Sequence, residues 1–326
     1  MKPRDSKTPP QSSSQTQESS AQTQESSAQT QASGGASQAL ESFLARLEAT
    51  VSKTPELEDI AHNPEKLQEL ITNLESDIAS GEWLRANYAE MDLKMMPALV
   101  KQANTKYPEM QLKYATNPEE LASSIKETIN EGVQSSRFIT NTGQSGIHFA
   151  VIDHQTINNE TSLILMEPAS FDKLNAGIMG ARVKIALEKL NLPNCHFSMV
   201  EMNIQQSNSE CGIFSLALAK KLHTEADKLM RLHRDNVNGV LCEPNTPLPS
   251  DQLDQYLPPS FYKHTQGRKR FKKYIERNPE AENTKVNKKG ETLRERFEKS
   301  LVKTEGKTVS VSSHRKRTSE YKSLML

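Results

Sequence analysis

The spacing of apolar residues divides the chain into stretches with different periods. Residues 1–36 are Ser/Gln/Thr-rich, with SSAQTQE at 19–25 nearly repeated at 26–32, and offer no stripe to pack. Such a segment is expected to be a disordered tail. From about residue 37 the period becomes helical. Leu40, Phe43, Leu44 and Leu47 share one face, and Leu67, Leu70, Ile71, Leu74 and Ile78 share another; both stripes read as core. A further helix is expected over 91–104, disturbed by Pro97. Asn117-Pro118 supplies an N-cap and a first-turn proline ahead of Leu121, Ile125 and Ile129. The period then shortens. RFITN (137–141), IHFAVID (147–153) and TSLILME (161–167) read as strands, the last two joined by a turn at Asn158-Asn159-Glu160. A helix over 173–190 stops before Pro193, and HFSMVEMNI (196–204) reads as another strand. Cys211 then opens a helix with Phe214, Leu218 and Leu222 on one face. The rest is helix-rich, with a hairpin near 303–311 around Gly306. Helices, a short sheet, then helices make the fold class α+β.

Composition adds three constraints. At 326 residues, 35% hydrophobic and mean hydropathy −0.69, part of the chain is expected to be unfolded. The formal net charge is zero but unevenly spread. Residues 263–326 hold 19 Lys/Arg against 8 Asp/Glu, a net of +11, and the remainder carries the compensating −11. A basic C-terminal fifth on an acidic body points to an anionic partner. Three cysteines, Cys195, Cys211 and Cys242, form neither a disulfide framework nor a zinc pattern. The sequence contains no apolar run of membrane-spanning length, and its first residues contain no secretory h-region.

Three residues carry candidate chemistry. His148 lies in the second strand-like run, Glu167 ends the next, and Cys211 stands where a loop becomes a helix. Adjacent antiparallel strands would bring His148 and Glu167 together. A helix N-terminus favours a thiolate. Nucleophile, base and orienting carboxylate are thereby available, and Gln205 is placed to donate to an oxyanion. Taken singly, each also fits a structural role, as do His154, His196, Cys195 and Cys242.

GIHFAVID, TSLILMEPA, CHFSMVEMNIQQSNSECGIFSLALAKKL and LPPSFYKHTQG closely resemble the YopJ family of type III secreted effectors, from about Trp83 onward. The Gln-x5-Cys-Gly element and the His–Glu–Cys order are also those of clan CE cysteine proteases. The resemblance implies a cysteine-protease-like catalytic core, a short mixed sheet flanked by helices, and a helical regulatory lobe built from N- and C-terminal segments. Residues 1–36 would be the secretion tail, 37–262 the helical region and catalytic core, and 263–326 the basic segment completing the lobe. By position, His148 is the base, Glu167 orients it, Cys211 is the nucleophile and Gln205 lines the oxyanion hole.

The same resemblance implies acetyl transfer from acetyl-CoA to Ser, Thr or Lys of host signalling proteins, in particular MAP kinase kinases, in the host cell cytoplasm. It also implies activation by inositol hexakisphosphate. The basic knots Lys288-Lys289, Arg315-Lys316-Arg317 and Lys322, with Arg268, Lys269 and Arg270 alongside, are the expected anion ligands, facing Arg85 and Lys101. Lys263 is the candidate for self-acetylation. The triad alone fits equally a protease acting on ubiquitin-like conjugates. A kinase-sequestering binding module and a nucleic-acid-binding tail are the non-enzymatic rivals; no nucleic-acid motif surrounds the basic run.

Overall fold

The computed structural model describes residues 60–326, except 62, 144, 145, 305 and 306. The expected tail over 1–36 and the stripe from Leu40 to Leu47 lie outside the described residues.

Helix α1 (Pro64–Ser80) starts where Asn63 Oδ1 accepts from the backbone N–H groups of Glu65 and Lys66, and stops at Gly81, whose positive φ closes the last turn. Its Leu67, Ile71 and Leu74 are buried. Pro97 sits inside α2 (Ala89–Lys106) without ending it. The buried Met95, Met96, Leu99 and Val100 around it supply packing that offsets the lost hydrogen bond. Strand β1 (Leu112–Ala115) was not legible as a strand because it is only four residues long. Helix α3 (Pro118–Asn130) is capped by Asn117, whose Oδ1 accepts from Glu120 N at 2.9 Å.

The sheet continues with β2 (Ser135–Asn141), β3 (Phe149–Ile157), β4 (Glu160–Glu167) and, after α4 (Leu174–Glu188), β5 (Cys195–Glu201). Spatial order follows chain order. β2, β3 and β4 form an antiparallel meander, while β1 and β5 pair in parallel at the two edges. The β3–β4 turn places Asn158 and Asn159 at φ 51° and 68°, the left-handed geometry that asparagine tolerates in a tight hairpin.

Both faces of the sheet are covered. Ala150, Ile152, Leu163 and Leu165 pack with α3 and α4 through Leu121, Ile125, Met179 and Val183. Phe149, Val151, Ile164 and Met166 face the larger core, which includes α2, α5 (Cys211–Thr224) and α6 (Ala226–Val237). This two-sided burial explains the uninterrupted apolar stretches Phe149–Ile152 of β3 and Leu163–Met166 of β4. Beyond α6 come α7 (Ser250–Leu253), α8 (Arg268–Arg277), α9 (Leu293–Glu298), the β6–β7 hairpin (Leu301–Thr304, Lys307–Ser310) and α10 (Ser312–Lys322). Helix α10 returns to the start of the described chain. Lys322 Nζ meets Glu75 of α1 at 2.5 Å, and Arg317 bridges to Asp92 of α2.

Candidate active site

His148 lies just before β3, one residue outside the strand expected for it. Turns at Gly143 (φ 72°) and Gly146 (φ 112°) shape the chain here. Its backbone is held instead by Asn141 Oδ1, which accepts from His148 N at 3.2 Å. The β3–β4 register, with Val151 opposite Met166, carries Glu167 to the same end of the sheet. His148 Nε2 and Glu167 Oε2 are 2.8 Å apart, and Glu167 Oε1 accepts from Ala169 N at 2.9 Å. Both carboxylate oxygens are therefore committed, which fixes the orientation of the imidazole.

Because Nε2 is bound to Glu167, Nδ1 is left for the thiol of Cys211. Burial pushes the His148 ring toward its neutral form. Hydrogen bonds to Cys211 and Glu167, together with their charges, outweigh burial and raise the pKa to about 10. Cys211 is the first residue of α5, a helix buried through Ile213, Phe214, Leu216, Leu218, Ala219 and Leu222. The helix start is pressed onto α2. A Cβ on Gly212 would lie 3.0 Å from Asp92 Cβ, so glycine is what permits the approach. Cys211 is 0% exposed and His148 6%.

Gln205 lies in the loop between β5 and α5. It is buried, and its Nε2 donates to Ser207 O at 2.8 Å, leaving the second amide hydrogen for another acceptor. Lys173, at the start of α4, donates to Gln206 O at 3.0 Å. Burial lowers its pKa, while the charges of Glu167 and Cys211 oppose that shift. Lys173 thus belongs to the site, although in sequence it is an unremarked helix-start residue.

A second feature is a cavity of about 450 Å³ walled by Lys106, Lys220, Lys221, Lys263, Lys288 and Lys316. Burial and then the charges of Lys221, Lys316 and Arg296 push Lys263 down to about 7. Glu320 on the wall pairs with Lys220 and Lys316. Burial would raise its pKa, yet these lysines hold it at about 2.

The family model described as YopJ Serine/Threonine acetyltransferase matches residues 67–323. The chain belongs to this family. It is 54% identical over 261 residues to the serine/threonine-protein acetyltransferase YopJ of Yersinia pestis, covering 80% of this chain and 91% of that protein. It is 27% identical over 182 residues to the acetyltransferase HopZ1a of Pseudomonas syringae pv. syringae, covering 51% and 46%. A solved structure of AvrA delL154 with IP6 and CoA shares 52% identity at a TM-score of 0.78, covering 81% of this chain and 99% of that one. HopZ1a in complex with IP6, at 20% identity and a TM-score of 0.65 over 79% and 97%, shares the fold.

In this YopJ-family chain the expected anion ligands separate. Lys288 and Lys316 line the cavity. Arg85, Lys101, Lys289, Arg315, Arg317 and Lys322 are not among its walls. Arg315 donates to Lys299 O, and Lys322 pairs with Glu75. Arg317 is engaged within the fold. Its buried guanidinium is taken up by Asp92, at 2.9 and 3.0 Å, and by Ser209 O, so it ties helices together. Arg270 is likewise held by Asp254 and Met202 O. Lys106, Lys220 and Lys221 were passed over because a lysine on a helix reads as a solvated face. The Lys220-Lys221 pair on the otherwise apolar α5 was the signal that could have found them.

Proposed function

We propose that this chain carries acetyl from acetyl-CoA on Cys211 and passes it to Ser, Thr or Lys side chains of host signalling proteins of the MAP kinase kinase type. We propose also that inositol hexakisphosphate activates it from the lysine-walled cavity. The observation that carries the reading is the single imidazole of His148 shared between Glu167 and the thiol at the start of α5.

In the first step the Cys211 sulfur attacks the thioester carbonyl and forms a new C–S bond. The bond to the CoA sulfur breaks, and His148 moves the thiol proton to the departing CoA. Gln205 is the candidate donor to the oxyanion. In the second step His148 takes the proton of the acceptor hydroxyl or amine. The acceptor displaces Cys211, whose sulfur regains that proton. The buried triad keeps water from the acetyl thioester, which favours transfer over hydrolysis. The same burial means that a covering segment must shift for the donor to reach the sulfur.

The cavity suits a polyanion. Burial first and like charges second depress the Lys263 pKa, and a bound phosphate would relieve the repulsion. AvrA and HopZ1a have been solved with IP6 and CoA, which supports the same pair of ligands here. Lys288, Lys316, Lys263, Lys220, Lys221 and Lys106 would hold the phosphates. The easily deprotonated Lys263 amine is also the form that self-acetylation requires. An enzyme silent until it meets a eukaryotic polyphosphate suits delivery by type III secretion into host cytoplasm.

The test is intact-mass spectrometry after incubation with acetyl-CoA, inositol hexakisphosphate and a MAP kinase kinase. Wild-type protein should place acetyl groups on itself and on the kinase. Cys211→Ala should do neither while keeping its melting temperature. Cleavage of ubiquitin-like conjugates without any acetyl transfer would replace this reading with the protease.

A further inference from the structure

Between β5 and the nucleophile runs the loop Met202–Glu210, and one side chain from the basic segment spans most of it. Gln266 N donates to Ile204 O at 3.0 Å. Its Oε1 accepts from Gln206 N at 2.6 Å and Ser207 N at 3.0 Å. Its Nε2 donates to Ser207 Oγ at 3.1 Å and to Glu210 Oε2. The same Nε2 reaches Ser313 Oγ of α10 at 3.1 Å. On the loop's other side Lys173 binds Gln206 O. Gln206 is therefore fixed at both its N–H and its C=O, and Gln205 is the residue immediately before it.

The segment carrying Gln266 also reaches the cavity. Lys263 is part of the cavity wall, His264 Nδ1 meets Ser312 Oγ at 2.8 Å, and Gln266 closes on the loop. From α10, Lys316 faces the cavity while Ser313 and Arg317 hold Gln266 and Ser209 O. Four consecutive residues thus join the lysine cavity to the loop that leads into Cys211.

We propose that Gln266 is a positioning residue for acyl transfer: it fixes the loop over 205–210, aims the Gln205 amide at the carbonyl that Cys211 attacks, and makes that aim depend on α10. The inference rests on the reading of Cys211 as an acyl-carrying nucleophile. A side chain whose Oε1 faces three donors of the loop and whose Nε2 faces Ser207, Glu210 and Ser313 imposes one loop conformation. A simple apolar contact would leave the loop free to slip, and misplacing an oxyanion donor reduces rate far more than binding.

Two assays separate this inference from the proposed function. The first follows acylation of Cys211 by p-nitrophenyl acetate, a small acetyl donor that needs no CoA pocket. The second follows transfer from acetyl-CoA to a protein acceptor with inositol hexakisphosphate present. Gln266→Ala should slow ester acylation and kcat by about 10- to 100-fold, somewhat less than outright loss of an oxyanion donor. KM for acetyl-CoA and the melting temperature should stay close to wild type. Gln266→Glu should be equally slow, since it cannot donate to Glu210 or Ser313. Adding Glu210→Gln reverses the donor and acceptor of that pair and should recover most of the rate. Gln266→Ala acylating at the wild-type rate would overturn the positioning role. So would a rate loss that merely tracks a fall in melting temperature and is not recovered by the reciprocal exchange. Wild type that acylates with the ester yet moves nothing from acetyl-CoA would overturn the proposed donor, and the positioning role is then judged on the ester assay.

Discussion

At the scale of single residues, the chemistry turns on what holds a proton on His148. Burial, the largest influence, favours the neutral ring, and only the bonds and charges of Cys211 and Glu167 raise it to about 10. Two of those raising influences vanish once Cys211 carries an acyl group. The ring should then fall toward neutrality, as a base for the acceptor hydroxyl must. Cys211→Ala mimics that loss. His148 in this variant should titrate below its wild-type value by NMR, and adding Glu167→Gln should lower it again. An unchanged His148 titration in Cys211→Ala would show that the thiol does not control the ring. His148, Glu167 and Cys211 were singled out in the sequence by the family resemblance of the segments that carry them, since each taken singly also fits a structural role. Gln266 and Lys173 were not legible, since their roles consist of hydrogen bonds to the backbone of a loop about 60 and 33 residues away along the chain.

At the scale of elements, the period of the apolar positions located α1 to α4 and β2 to β5 to within a few residues, because each buries a face against the sheet or its flanking helices. It failed at β1, which is too short to show a period. It also failed for α10, whose buried residues include Ser312, Ser313, His314, Arg317 and Glu320 and so resemble a solvated helix. Polar side chains are tolerated there because they pair. Asp92 accepts from Arg317 twice and from Tyr321 Oη at 2.8 Å. Removing one partner strands the other charge. Arg317→Met should therefore destabilise the fold by about 3–5 kcal/mol, visible as a lower melting temperature without any anion. Lys288→Met, at an exposed lysine of the cavity wall, should leave that temperature nearly unchanged and weaken polyanion binding. Equal, small effects from the two variants would mean that Arg317 is a ligand rather than a tie.

At the scale of the whole molecule, the charge split visible in the sequence becomes a cavity. Net +11 over residues 263–326 folds only with counter-charge. Some comes from the acidic body, as Asp92 and Glu75 show by pairing with Arg317 and Lys322, but Lys263 keeps a pKa pushed down to about 7, first by burial and then by neighbouring cations. The sign of the consequence is definite. Between about 7 and its ordinary value of 10.5, the unfolded chain binds a proton at Lys263 that the folded chain lacks, so this group makes stability rise with pH across that window. A polyanion in the cavity reverses the balance by favouring the charged lysine. Binding of inositol hexakisphosphate at pH 8 should take up a proton, and its affinity should fall as pH increases from 7 to 9. Saturation at 100-fold excess over Kd should add roughly 2.7 kcal/mol to stability. Calorimetric titrations in two buffers of different ionisation enthalpy measure the proton directly, and Lys263→Met should abolish the buffer dependence while leaving weaker binding. Binding that takes up no proton, or a Lys263→Met variant that behaves as wild type in both buffers, would place the anion elsewhere on the basic segment.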